Sequence, residues 1–367
     1  MQSEAISLAS PLQTRVEKVI AASGGWIGFD HFMQLALYEP GLGYYANTTP
    51  KFGAMPSSGS DFITAPELSP LFGKTLAIQV EQALDATRSD DIWEFGAGSG
   101  ALAAQLLGSL SARVKRYHIV DVSGTLRRRQ QTALAQWAEQ VQWHDSLPAA
   151  INGVVVGNEV LDAMPVQLLA RIDGVWHERG VAVHGHALAW ADRPTDLRPP
   201  LDIEGEHDVV TEIHPQARAF IATLAACMRA GNGGAAFFLD YGFPEAEYFH
   251  PQRTGGTMVC HRAHQVDDNP LIDLGLKDIT AHVDFTGIAM AAQDAGLSVL
   301  GYTSQGRFLL NCGIGELMQA SSLPERATAM KLVAEHEMGE LFKVIGFSTS
   351  ENWTARGFAE GDRTHRL

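Results

Sequence analysis

The stretch Asp91-Ile92-Trp93-Glu94-Phe95-Gly96-Ala97-Gly98-Ser99-Gly100-Ala101-Leu102 decides how the chain is read. Its apolar start predicts a buried strand, its three alternate glycines a loop, and Ala101-Leu102 the opening of a helix. Glycine tolerates positive φ and lets a ligand come close to the backbone. Unpaired N–H groups at a helix start favour an electron-rich group. The stretch is therefore expected to cradle a cofactor, with Gly96, Gly98 and Gly100 lining it.

Two cofactor classes fit this loop. Gly96, Gly98 and Ala101 match the dinucleotide pattern G-x-G-x-x-G/A, whereas Glu94 with the three glycines matches E/D-x-G-x-G-x-G, the loop of S-adenosylmethionine (SAM) methyltransferases. The flanking chain has to choose between them.

The 367 residues, 46% hydrophobic and 19% charged, suffice for one large α/β domain with elaborations or for two domains sharing a core. A net charge of -15, from 27 basic and 42 acidic residues, argues against nucleic acid. It suits a small-molecule enzyme or one acting on a basic protein. Cys227, Cys260 and Cys312 are scattered, so neither a disulfide framework nor a zinc site is expected, and a cytoplasmic location is. No export or import signal is expected, and with no run of about 18 apolar residues no membrane insertion is expected either.

Helices are expected over Leu12 to Ala22 and Phe29 to Tyr38, and a long lid loop over Lys51 to Pro66 with the aromatics Tyr44, Tyr45, Phe52 and Phe62. Ser69 and Pro70 open a helix to about Leu84. A second strand, Arg116 to Val120, ends in Asp121, which follows Gly96 by 25 positions. An acid there accepts hydrogen bonds from the ribose hydroxyls of an adenosine cofactor. Ser123 caps the next helix, and a short third strand precedes Asp145, read equally as an adenine contact and as a turn former. The fourth strand, Gly153 to Gly157, runs into Asn158, Glu159 and Asp162, and the fifth ends in Asp240. Residues just beyond the carboxyl ends of parallel strands face the ligand crevice.

Insertions are expected at about 166–215 and 245–283; their histidines and acids lack metal-ligand spacing, so no metal is assigned. Leu297 to Thr303 and Gly306 to Cys312 read as sixth and seventh strands joined by the turn Ser304-Gln305. A terminal antiparallel pair favours the methyltransferase sheet over the dehydrogenase one. The fold expected is thus α/β: a seven-stranded, Rossmann-like sheet at 85–312, an N-terminal helical lid region at 1–84 and a C-terminal helical segment at 313–367.

Several segments together resemble the MidA family of SAM-dependent methyltransferases: Pro40 to Tyr45, Gly59 to Ser69, Glu94 to Gly100, Asn158 to Pro165, Asp240-Tyr241-Gly242, Gly256-Thr257 and Asp278 to Phe285. The resemblance runs from about Gly28 to Lys343, although Asp121 stands where many members carry Glu. It implies methyl transfer from SAM and a protein substrate. Because members include a mitochondrial complex I assembly factor regarded as a protein arginine methyltransferase, it also suggests arginine as acceptor and a complex I subunit as partner. On this resemblance alone Thr64, Glu67 and Ser69 close over the cofactor.

For a guanidinium acceptor, Glu159 with Asp162 or Asp240 would hold the fork, and His282 would take the released proton. The competing reading makes Glu159 and Asp162 helix caps and His282 structural. A nicotinamide-dependent oxidoreductase and a non-catalytic SAM-binding assembly factor are the alternative functions.

Overall fold

In a computed structural model, residues 10–47, 64–121, 124–263 and 265–367 are described. Residues 51–63 of the expected lid, with Phe52, Phe62 and the motif residues 59–63, and Ser123 lie outside them, while Ala65 and Pro66 belong to a short helix. The chain forms two units. One gathers residues 10–47 with Pro165–Ile213 and Phe249–Ala281; the other gathers residues 64–164 with His214–Tyr248 and His282–Leu367.

The second unit carries the glycine loop. Its main strands are β1 (Asp91–Phe95), β2 (Arg116–Val120), β3 (Val141–His144), β4 (Asn152–Asn158), β5 (Gly233–Phe243), β6 (Ser298–Ser304) and β7 (Phe342–Ser348), in the order β6-β7-β5-β4-β1-β2-β3. The two-residue strand Val283–Asp284 runs beside the end of β5. β1 to β5 are parallel, and β7 lies antiparallel between β5 and β6.

Strand periodicity explains the layers. Ile92, Val154, Val156, Phe237 and Leu239 pack against Phe72, Leu76 and Val80 of helix Pro70–Ala86 and Leu102 and Leu106 of helix Ala101–Leu110. The alternate residues Trp93, Phe95, Val155 and Phe238 face Ile221 and Leu224 of helix Pro215–Ala230 and Ile288 of helix Phe285–Asp294. Each fully buried side chain of this kind stabilises the fold by about 1.5–3 kcal/mol.

The expected α/β class with a mostly parallel sheet is found, but its closing strand is elsewhere. Gln305–Asn311 is a helix, with Phe308 and Leu309 buried and Leu310 half exposed, which is a helical rather than a strand pattern. β7 is formed by Phe342–Ser348, every residue of which is buried. The core therefore extends past 312, and 313–367 is not purely helical.

In the other unit, Gln167–Ile172, Val175–His184 and Ala187–Pro194 form the expected antiparallel strands, joined by Val209–Ile213 and Ile27–Gly28. Residues 10–47 group here, so the expected N-terminal region at 1–84 is not one body. Tyr44 is buried as packing. The Tyr45 hydroxyl donates to the Asp278 carboxylate at 2.8–2.9 Å.

Candidate active site

β1 lies where the order reverses, with β4 on one side and β2 on the other, which is where open α/β sheets bind ligands. Beyond it the backbone takes φ +63° at Gly96, +52° at Gly98 and +86° at Gly100. A Cβ on Gly96 would lie 3.0 Å from Val160 Cγ2, so the loop packs on the segment after β4. Gly100 is the N-cap of Ala101–Leu110 and brings no capping side chain. The first helical N–H groups there are donors suited to an electron-rich ligand.

Two acids flank the loop. Glu94 is buried beneath it, its Oε2 accepting a 2.6 Å hydrogen bond from the Tyr117 hydroxyl. Burial pushes its carboxyl up to about 7, against the lowering effect of Tyr117 and with a small addition from Asp121. Asp121, at the end of β2, accepts a 2.8 Å hydrogen bond from Gln130 Nε2. Gln130 also donates to the Gly98 carbonyl at 3.1 Å and accepts from Trp143 Nε1 at 3.1 Å. Asp145 is exposed and pairs with Arg127 at 2.7 Å.

The segment after β4 is organised by Asp240. Its Oδ2 accepts from the backbone N–H groups of Val160, Leu161 and Asp162 at 3.1, 2.9 and 3.3 Å, and its Oδ1 from that of Tyr241 at 3.0 Å. Burial, with Asp162 and Glu159 nearby, holds its carboxyl well above the ordinary range. Asp240 is thus placed to shape the loop, a role the sequence reading did not give it. Glu159 sits at φ +54°, a left-handed conformation uncommon outside glycine, and its Oε1 accepts from Asn158 Nδ2 at 2.9 Å. Asp162 is buried with Oδ1 lacking a hydrogen-bond partner; burial raises its carboxyl to about 6, while the Tyr241 hydroxyl lowers it.

His282 stacks on Phe243 at 5.2 Å and meets Tyr241 edge-on at 5.2 Å. Its backbone carbonyl pairs with His214 Nε2 at 2.9 Å. Ser69 is fully buried and caps helix Pro70–Ala86, its Oγ accepting from Leu71 N at 3.3 Å. Thr64 precedes the short helix Ala65–Leu68 without a side-chain cap bond. Glu67 approaches Arg129 at 4.0 Å. The sequence reading gave Gln130 and Tyr117 no role and held Tyr241 only within the motif Asp240-Tyr241-Gly242.

A family model of S-adenosyl-L-methionine-dependent methyltransferases matches residues 75–303. The chain belongs to this family. A solved structure from Burkholderia thailandensis bound to S-adenosyl-homocysteine is 46% identical, with a TM-score of 0.94, covering 100% of this chain and 99% of that one. Curated relatives include the mitochondrial protein arginine methyltransferase NDUFAF7 of Danio rerio, 29% identical over 91% of this chain and 86% of the relative. The homologue in Drosophila melanogaster is 28% identical over 92% and 84%.

This methyltransferase takes SAM as its cofactor, which removes the nicotinamide reading of the loop. The left-handed glycine turn, the N–H donors at the helix start and the Asp121 carboxylate fit a sulfonium-linked adenosine with an amino-acid tail. The expected cytoplasmic location is corrected: the curated relatives are mitochondrial, and scattered cysteines do not specify a compartment. Among the described residues no helix is long and apolar enough to cross a membrane, and no group of three or more His, Cys, Asp or Glu side chains is placed to hold a metal ion.

Proposed function

We propose that this methyltransferase acts on arginine guanidinium groups of a protein partner. The observation that carries the reading is Glu159, held in a left-handed conformation at the end of β4 close to the buried carboxyl of Asp240, which Asp162 also neighbours. Strained backbone at a strand end is found where a side chain must be aimed. A guanidinium presents five N–H donors in a planar fork, which a carboxylate accepts bidentately. The relatives named protein arginine methyltransferase support the same acceptor.

SAM supplies a methyl group made electrophilic by its sulfonium. The chain aligns the acceptor nitrogen with that carbon, excludes water and draws electron density onto one nitrogen through Glu159. The product remains a cation, so one proton is released per transfer. Asp162, with a carboxyl near 6, or His282 receives it. Asp240 keeps Glu159 and Asp162 in place through the backbone. Asp121 holds the ribose, and Asp145 and Asn158 complete the cofactor's surroundings. By family resemblance the partner class includes respiratory complex I subunits.

The test is transfer of label from methyl-tritiated SAM to proteins of a lysate lacking this enzyme, followed by mass spectrometry of the labelled residues. Methylarginine is expected. Label found only on another residue type, or on none, would end this reading. A SAM-binding assembly factor without catalysis corresponds to the second of those results.

A further inference from the structure

We propose that Gln130 is a positioning residue that presets both the glycine loop and the ribose-holding acid for the cofactor. It lies on helix Gly124–Ala133, a polar segment whose other described side chains are largely exposed, yet Gln130 is fully buried. Its amide orientation is decided by its neighbours. Trp143 Nε1 can only donate, so Gln130 Oε1 must face it; Gly98 O and Asp121 Oδ2 can only accept, so Nε2 faces them. One amide therefore ties together the ends of the first three strands.

Two consequences follow for the cofactor. In a planar trans peptide the C=O and N–H point in opposite directions, so fixing the Gly98 carbonyl toward Gln130 aims the Ser99 N–H away from it. Engaging Oδ2 of Asp121 also fixes the rotation of that carboxylate. Gln130 also lies against the end of the loop, where a Cβ on Gly100 would make ordinary contact with Gln130 Cα at 3.4 Å and Cγ at 3.6 Å. The proposal rests on the reading that Asp121 binds the ribose.

The experiment measures binding of S-adenosylhomocysteine and its 2′-deoxy and 3′-deoxy analogues by calorimetry, to wild type and to Gln130→Leu. Wild type is expected to prefer the full ribose by roughly tenfold or more, as for loss of a hydrogen bond to a charged group. Gln130→Leu should bind S-adenosylhomocysteine at least roughly tenfold more weakly and should lose most of the preference for the full ribose. Equal weakening for all three ligands would assign Gln130 a purely structural role and overturn the proposal. No preference in wild type would refute the Asp121 reading, and the proposal with it.

Gln130→Glu keeps the acceptor for Trp143 and serves if the leucine variant does not fold. Its carboxylate would face Asp121, so affinity should be low at pH 8 and recover at acid pH, where the introduced carboxyl can donate. Wild-type affinity at pH 8 would also overturn the proposal.

Discussion

The Tyr117 hydroxyl donates a 2.6 Å hydrogen bond to Glu94 beneath the glycine loop, and both side chains are buried between β1, β2 and the helix that follows the loop. Burial outweighs this bond, so the folded carboxyl titrates near 7 instead of 4.5. The unfolded chain then releases its proton first as pH rises.

Glu94 should therefore make folding stability fall between about pH 4.5 and pH 7, where the unfolded state has lost a proton that the folded state keeps. Its favourable contribution is complete below the lower value and gone above the upper one. Glu94→Gln is expected to flatten urea-derived stability across this window by on the order of 3 kcal/mol. An unchanged pH slope would place the titration elsewhere.

Gly98 at φ +52° leaves a β-branched residue in a disfavoured region. Gly98→Val should cost about 1–2 kcal/mol of stability and weaken S-adenosylhomocysteine binding by at least roughly a hundredfold, since the loop must move. Calorimetry showing retained affinity would remove the loop from the cofactor site.

Asp240→Ala strips the acceptor from the backbone N–H groups of Val160, Leu161 and Asp162. A stability loss of about 3 kcal/mol or more is expected, because buried donors lose their partner. Asp162→Asn should cost less than this. Equal melting temperatures for Asp240→Ala and wild type would contradict the assignment of Asp240 to the loop.

Glu159→Gly separates strain from function. Glycine relieves the left-handed backbone, so stability should rise or hold, by up to about 1 kcal/mol, while methyl transfer falls. A clear loss of stability would return Glu159 to a structural role.

The strand, glycine turn and helix were legible because β1, three glycines and a helix follow one another without interruption, and acids at the ends of β2, β4 and β5 stand out against apolar runs. The closing strand was misplaced because Phe308-Leu309-Leu310 suits either a short strand or one helical face. Phe342–Ser348 was hidden by Lys343, which is buried while its ammonium reaches the Glu340 and Leu341 carbonyls. Gln130 was invisible beside Gln131 in an Arg- and Gln-rich helix, since only tertiary packing tells which glutamine turns inward. Ser69 was legible as the cap of the helix that Pro70 opens, because that signal is local.

The most direct measurement compares wild type with Glu159→Gln for S-adenosylhomocysteine affinity and for methylarginine formed in a lysate lacking the enzyme. Unchanged affinity, with transfer reduced by roughly a hundredfold or more as a lost charge-assisted contact requires, is the predicted result. Equal methylarginine from both proteins would contradict the central claim that Glu159 holds the acceptor guanidinium.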